Sequence, residues 1–234
     1  MKRLSCLVFG LVFLGSVAFK PNAADCQPYY PIKEGTVLTL TSFNDKNKET
    51  GSVVQTLKSV KSIPGGIEIQ ASSESFNDKG KSLATSDFLA KCVDGVFYLD
   101  MKNFVSGEQM AGFQNMEMKV ESESIDIPSN PTVGQELKNG FVNITATSPG
   151  STLNLMKLRV DISNRKVEAI ESITTPAGTF NCVKISCDVE TATFFKVRAK
   201  SVEWVSKEYG TVRSESYNSK GKLTGYSVLS SVKK

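Results

Sequence analysis

Hydrophobic and polar residues alternate along most of this chain, in short runs separated by turn-forming residues. In Asn181–Val189, for example, Val183, Ile185 and Cys187 fall on one face of an extended chain, and Lys184 falls on the other. Alternation of this kind predicts half-buried β-strands. Because the runs recur at intervals of roughly ten residues, the spacing is typical of an antiparallel all-β protein.

The alternating runs predict about a dozen short strands. They are Thr36–Phe43, Gly51–Ile63, Ile67–Phe76, Leu83–Val93, Val96–Leu99, Asn115–Ile127, Gly140–Thr147, Asn154–Ile162, Lys166–Thr174, Thr179–Val189, Phe194–Ser206, Gly210–Tyr217 and Lys222–Ser230. The pair Asp94-Gly95 between two apolar runs is the clearest two-residue hairpin signal. Met101–Gln114 breaks the alternation and fits a short, weak helix.

These elements predict a mainly β fold. We expect antiparallel strands in a strongly curved sheet, an open barrel or a two-sheet sandwich, with an apolar concave face and at most one or two short helices. The length suits one all-β domain over residues 25–234; a division into halves, 25–127 and 128–234, is the alternative.

One short sequence recurs three times. Ser42–Lys48 reads SFNDKNK, Ser75–Lys81 reads SFNDKGK and Ser216–Lys222 reads SYNSKGK. Each places an aromatic residue before polar turn residues, with Asn or Gly where a positive φ is expected. Three similar hairpin tips are the simplest interpretation, and a shared ligand-binding loop is the alternative.

The N-terminus predicts export. Lys2 and Arg3 precede an apolar run, Leu4–Phe19, and small residues follow it. A run of this length is shorter than the roughly 20 residues of a membrane-spanning helix. Residues 1–24 are therefore expected to be a cleaved signal peptide, and the mature protein is not expected to span a membrane.

Charge and histidine content exclude several functions. Removing residues 1–24 takes three basic residues from 28, which leaves 25 against 24 acidic residues, so no electrostatic surface for nucleic acid is expected. The sequence contains no His. It therefore excludes Ser-His-Asp and Cys-His catalysis and any His-ligated metal.

Four cysteines remain after export, and an oxidising compartment allows them to pair. Cys182 and Cys187 lie on one predicted strand, five extended steps or roughly 16 Å apart. A disulfide needs Cα atoms about 4.4–6.8 Å apart. Cys182–Cys187 is therefore disfavoured unless the strand is broken. Of the three possible connectivities, the preferred bridge is Cys26–Cys92, which would tie the mature N-terminus to the body of the fold. Cys187 is expected to be a small buried apolar residue, and Cys182 a free or partly exposed thiol.

The chain contains no nucleotide-binding, nucleophile-elbow, CxxC or EF-hand motif, so we expect no cofactor and assign no catalytic or metal-binding residue. The acidic residues Glu117, Glu121 and Glu123 share one strand face, which favours a solvated surface over a carboxylate pair. Three aromatic residues are candidates to line a cavity, namely Phe194, Phe195 and Trp204; for Trp204, core packing is the simpler interpretation.

Several segments carry a family signature. The sequence TTPAGTFNC at Thr174–Cys182 resembles the signature of a family of exported bacterial proteins of unknown function, the TapB-like group. Further segments with the same resemblance are Tyr30–Gly35, Lys91–Gly95, Ile127–Asn130, Val133–Leu137, Ser201–Trp204, Tyr209–Val212 and Ser219–Leu223. The resemblance implies the periplasm or cell surface of a Gram-negative bacterium and a curved antiparallel sheet. It implies no catalytic residues.

The leading functional hypothesis is a non-catalytic envelope protein that binds a lipid-like or polypeptide ligand. The alternative is a structural or assembly factor whose strand edge pairs with another envelope protein. An enzyme is the third hypothesis. It needs a carboxylate pair or a thiolate beside a lysine, and Cys182 near Lys184 is the local candidate.

Overall fold

The structure is a computed structural model, and it describes residues 26–101, 116–148, 150 and 154–234. The predicted signal peptide, residues 1–24, and residues 102–114 of the predicted helix lie outside these ranges. The described residues form strands and turns with no α-helix. They accordingly contain no helix long and apolar enough to cross a membrane.

Thirteen strands make up the fold. Their bounds are β1 Val37–Asn44, β2 Glu49–Ile63, β3 Gly66–Asn77, β4 Ser82–Val93, β5 Val96–Leu99, β6 Glu117–Glu123, β7 Ile125–Pro128, β8 Gly140–Thr147, β9 Asn154–Thr175, β10 Gly178–Ala192, β11 Lys196–Ser206, β12 Gly210–Asn218 and β13 Leu223–Lys233.

All thirteen strands join one antiparallel sheet, in the order β6-β8-β9-β10-β11-β12-β13-β1-β2-β3-β4-β5-β7. The two edge strands, β6 and β7, are consecutive parts of one segment. β6 pairs with β8 at one edge, and β7 pairs with β5 at the other. The sheet therefore curls into a nearly closed barrel, which confirms the predicted fold class.

The strand directions define two ends of the barrel. The turns after β1, β3, β8, β10 and β12 lie at one end, which we call the tip end. The turns after β2, β4, β7, β9 and β11 lie at the other, together with the N-terminal segment 26–36. We call this the plug end, because the N-terminal segment packs into it.

Buried side chains form two clusters inside the barrel. The larger cluster draws on both halves of the sheet and includes Leu38, Leu57, Ile69, Val212 and Leu229. The smaller cluster lies on the β6–β9 side and consists of Met101, Ile125, Val142, Ile144, Ala146, Leu158, Val160 and Ile162. Alternating inward positions supply both clusters, as expected for a barrel with a solvated outer face.

One prediction about strand number is wrong in an informative way. The alternation predicts two strands over residues 154–174, but the structure has one 22-residue strand, β9. The predicted interruption coincides with a β-bulge, where Asn164 and Arg165 lie opposite Cys187 on β10. Asn164 has a φ of 51°. The chain therefore bends and changes face without ending the strand.

The three repeated sequences form hairpin tips with the same hydrogen bonds. In each, the side-chain oxygen of the first Asn accepts from two backbone N–H groups of the turn; these asparagines are Asn44, Asn77 and Asn218. The fourth turn residue has a positive φ in all three, at Asn47, Gly80 and Gly221. This is the conformation that the sequence predicts.

Candidate functional site: a cavity inside the barrel

A cavity of about 220 Å³ lies within the barrel, where the two hydrophobic clusters meet. Its wall is mainly apolar and includes Phe88, Phe97, Leu99, Ile125, Ile127, Ile162, Ile185 and Val205. Polar groups are few and come from separate strands. They include Gln55, Ser73 and Ser86 on one side and Arg165, Cys187 and Glu203 on the other.

Gln55, Ser73 and Ser86 form a cross-strand row on β2, β3 and β4, because Gln55 pairs with Ser73 and Ser73 pairs with Ser86. Ser86 is the exposed member of the lining. It therefore marks the point at which the cavity meets solvent. Beside it, β5 pairs with β4 only at Ala90–Val93. Among the described residues, Ser82–Leu89 of β4 therefore pairs with β3 on one side and with no strand on the other.

Arg165 places a charge inside this apolar wall. Its side chain is 3% exposed, and Nη1 donates to Asp126 Oδ1 at 3.3 Å and to the Lys138 carbonyl at 2.7 Å. Burial lowers the pKa of Arg165, and the nearby Asp126 carboxylate opposes that shift. The guanidinium stays charged because its ordinary pKa is far above neutral. Its Nε and Nη2 have no acceptor among the described residues.

The bulge in β9 explains why Arg165 points inward. Val160 and Ile162 face the core before the bulge, and Arg165 and Val167 are buried after it, so the inward-facing set moves from even to odd positions. Bulges commonly redirect a side chain in this way beside functional sites. Without the extra residue, an arginine at position 165 would face solvent.

Glu203 lies on β11 opposite Ile185, on the face that lines the cavity. It is half-buried, and burial raises the pKa of its carboxyl group, while the positive charge of Arg165 lowers it. The carboxyl group forms no hydrogen bond or ion pair with the residues that the structure describes. The cavity therefore holds a buried cation with free donors and a carboxyl group whose pKa is raised by burial.

The two thiols differ from their predicted burial. Cys182 is free but only 1% exposed, because it lies beside Phe180 and Ser206, which are also buried. Cys187 is half-buried and lines the cavity opposite the bulge. Burial raises the pKa of Cys182 to about 11 and that of Cys187 to about 12. Both shifts disfavour the thiolate, which is the form that nucleophilic chemistry needs at neutral pH.

The cavity lining does not include the three aromatic residues that the sequence suggested for it. Trp204 is buried in the larger hydrophobic cluster, and its Nε1 donates to Glu171 Oε1 at 2.7 Å. The cationic groups of Lys184 and Arg213 lie over its ring, 4.9 and 5.8 Å from the centroid. These long side chains bury Trp204 from the solvent side.

Phe194 and Phe195 lie at the turn between β10 and β11, at the tip end, and are 86% and 70% exposed. The turn places them beyond the last cross-strand pair of the hairpin, Ala192–Lys196. They project from the barrel and do not reach its interior.

The predicted disulfide is confirmed. Cys26 and Cys92 are bonded, with their Cα atoms 5.8 Å apart and a separation of 66 positions in sequence. The bridge attaches the N-terminal segment to β4. It therefore fixes Tyr29 and Tyr30, which follow Cys26 by three and four residues, against the plug end of the barrel.

The two tyrosines close this end of the cavity. Tyr29 Oη donates to the Pro128 carbonyl at 3.2 Å, and Tyr30 Oη donates to Gln55 Oε1 at 3.3 Å. The Tyr30 ring packs edge-on against Phe88 with centroids 5.6 Å apart. Burial raises the pKa of Tyr29 to about 12 and raises that of Tyr30 as well. The tyrosines are therefore neutral hydrogen-bond donors at any physiological pH.

Three acidic residues lie on the surface outside the cavity. Glu117, Glu121 and Glu123 are exposed along β6, as the sequence predicts for a solvated strand face. In the described part of the chain, no group of three or more Cys, Asp or Glu side chains has the geometry to hold a metal ion.

Comparison with known proteins agrees with this architecture. The sequence profile described as DUF3108-like matches residues 33–229. None of the curated proteins matches this sequence.

Two crystal structures are similar over most of the chain. A protein from Bacteroides fragilis, assigned as exported and with a YmcC-like fold, is 25% identical; the match covers 89% of this chain and 100% of that one, with a TM-score of 0.75. A protein from Parabacteroides distasonis, assigned as a lipoprotein, is 27% identical over 89% of this chain and 99% of that one, with the same TM-score. These assignments agree with a location in the cell envelope.

Proposed function

The chain belongs to the DUF3108-like family, and we propose that it is an exported envelope protein that binds a lipid-like ligand in the barrel cavity without catalysing a reaction. The observation that carries the proposal is the lining of the cavity. An apolar wall with a few convergent polar groups is typical of small-molecule sites. We place the protein in the periplasm or at the surface of a Gram-negative bacterium, within the TapB-like group that its TTPAGTFNC sequence resembles.

The volume of the cavity limits the ligand. At about 220 Å³ it is smaller than the roughly 300–1,000 Å³ of sites for drug-sized molecules. It accommodates one short acyl chain but not a whole phospholipid. A polypeptide segment fits less well, because each residue would bring backbone N–H and C=O groups that the apolar wall cannot pair. A lipid-like ligand is therefore favoured over a polypeptide.

The polar groups indicate where a head group would bind. A carboxylate or phosphate can accept hydrogen bonds from Nε and Nη2 of Arg165, and charge-assisted bonds of this kind are the stronger ones. Glu203 does not oppose the anion while it is neutral, and as a neutral acid it can also donate. The acyl chain would then lie along Phe88, Phe97 and Ile127.

Native mass spectrometry of protein purified from its own envelope tests the proposal, with octanoate and octanol as added ligands. We expect a bound acyl species and tighter binding of octanoate than of octanol. Replacing Arg165 with Met should weaken octanoate binding at least tenfold, because a hydrogen bond to a charged group contributes about 1.5–3 kcal/mol. Octanol binding should change little.

Two further variants separate binding from folding. Arg165→Met leaves Asp126 without its ion-pair partner, so the double variant Arg165→Met/Asp126→Asn is the matched test. Lys138→Met removes an exposed charge near Arg165 and should leave binding unchanged. A protein that carries no acyl species from its envelope and binds neither added ligand would contradict the proposal.

One observation favours the alternative function of an assembly factor. Ser82–Leu89 of β4 has a free edge among the described residues, and free edges can accept a strand from a partner. Crosslinking from a photoreactive residue at Leu83 in intact cells tests this alternative. A specific adduct with another envelope protein supports strand pairing, and crosslinking only to lipid or to nothing argues against it.

A further inference from the structure

The tip end of the barrel carries a concentration of positive charge. Each of the three hairpin tips Asn44–Lys48, Asn77–Lys81 and Asn218–Lys222 contains two exposed lysines, and together they contain only two aspartates. We call them the lysine tips. The mature chain as a whole is nearly neutral, so this surface is much more basic than the protein average.

The lysine tips stand next to one another along the rim. In the sheet order, the β12–β13 tip, the β1–β2 tip and the β3–β4 tip are successive, and each is two strands, or about 10 Å, from the next. Lys222 Nζ lies 3.1 Å from Asp45 Oδ2, and Tyr226 Oη donates to Asn47 Oδ1 at 3.0 Å. These contacts hold two of the tips together.

The turn that follows in the same direction carries the exposed phenylalanines. Ala199 of β11 pairs with Asn218, the start of a lysine tip, and β11 extends three residues further, to Lys196. At about 3.3 Å per residue, the β10–β11 hairpin therefore projects about 10 Å beyond Asn218 before it turns. Phe194 and Phe195 lie at its apex, and Val197 beside them is also exposed.

An apolar projection followed along the rim by three lysine tips matches the surface of an anionic bilayer. Apolar side chains at a membrane interface insert about 5–10 Å, which is close to the length of this projection, while basic residues remain at the head groups. We propose that the tip end docks on anionic phospholipid, with Phe194 and Phe195 inserted and the lysine tips on the lipid phosphates. This surface is separate from the cavity and does not depend on the cavity ligand.

The plug end provides the internal comparison. It also has exposed apolar residues, Ile32 and Val133, and exposed lysines, among them Lys33, Lys61 and Lys91. They are not gathered on one projecting turn, and Lys91 lies 3.3 Å from Glu68. Substitutions at this end therefore change the same residue types without changing the proposed docking surface.

Co-sedimentation of the mature protein with vesicles tests the proposal, using phosphatidylcholine alone or mixed with phosphatidylglycerol. We expect binding only to the mixed vesicles, and weaker binding as salt rises above roughly 0.1 M. Replacing both Phe194 and Phe195 with Ser should reduce binding at least tenfold. Replacing Lys46, Lys79 and Lys220 with Gln should reduce it about a hundredfold, at about fivefold per lysine.

The matched controls are Ile32→Ser/Val133→Ser and Lys33→Gln/Lys61→Gln/Lys91→Gln, which should change binding less than twofold. Circular dichroism and thermal unfolding establish that each variant is folded. Absence of binding to mixed vesicles at low salt, or equal losses in the tip-end and plug-end variants, would overturn the proposal. Capture of the phenylalanine turn by a protein without vesicle binding would overturn it too.

Discussion

The two ends of the barrel are built from the same antiparallel hairpins but differ in how they meet their surroundings. At the plug end, a disulfide holds two tyrosines inside the barrel, and each donates a hydrogen bond across it. At the tip end, short polar turns and two exposed phenylalanines face outward. Burial therefore stabilises the fold at the plug end, while side chains at the tip end remain exposed and able to contact other molecules.

The largest expected effect on the free energy of unfolding comes from removing the disulfide. Replacing Cys26 and Cys92 with Ser should lower the free energy of unfolding by about 4 kcal/mol. The reason is that a bridge closing a loop of this length removes conformational entropy from the unfolded chain. Urea unfolding followed by circular dichroism measures the change. Reduced wild-type protein should show the same loss, and reductant should have no effect on the double variant. A loss below about 1 kcal/mol would mean that the plug end does not depend on the bridge.

The next largest effect is expected at Tyr30. Tyr30→Ala empties the space beside Phe88 and should cost about 3 kcal/mol, as for other large aromatic residues in a core. Tyr30→Phe is the matched control, since it removes only the hydrogen bond to Gln55 and should cost about 1 kcal/mol. Equal effects of the two substitutions would show that the ring does not seal the cavity.

A smaller effect, with a defined pH dependence, is expected at Glu203. Its pKa is raised in the folded protein, so the stability associated with its protonated form is lost as pH rises through that pKa. Glu203→Gln should therefore stabilise the protein at neutral pH, by on the order of 1 kcal/mol, and have little effect near pH 4, which is below the ordinary Glu pKa of about 4.3. Unfolding curves at several pH values check this, and a gain that is independent of pH would contradict it.

The smallest effect is expected at the tip end. Replacing Phe194 and Phe195 with Ser should change the free energy of unfolding by less than about 0.5 kcal/mol, because both side chains are already exposed. Thermal unfolding measures this. A large loss of stability would mean that these residues pack against the barrel, and the contrast between the two ends would then fail.

Local sequence predicted most of the fold. Asn44, Asn77 and Asn218 start turns whose hydrogen bonds are contained within five residues, so the tips follow from local chemistry. The strands follow from alternation, because each has an inward and an outward face. Strand geometry excluded a Cys182–Cys187 bridge, because one strand holds the two residues too far apart, but it did not by itself select the Cys26–Cys92 bridge that the structure contains.

The site was harder to predict, because it depends on which face each residue takes. Arg165 lies between two predicted strands, a position that indicates a turn. The apolar positions change from even numbers, up to Ile162, to an odd number at Val167, and this change indicates a bulge. Trp204, as a large aromatic residue, suggested that its side of the strand faces the cavity. The covering of Trp204 by Lys184 and Arg213 depends on the register of three strands, which no local pattern contains, and Glu203 was overlooked for the same reason.

The central claim is that the cavity holds an acyl ligand. Calorimetric titration of octanoate into the wild type and into Ser73→Phe tests it most directly, because the added ring fills the cavity from a lining position and leaves Arg165 in place. The account predicts binding of one octanoate per wild-type protein and at least tenfold weaker binding to a folded Ser73→Phe variant. Equal binding to both proteins, or no binding to the wild type, would contradict it.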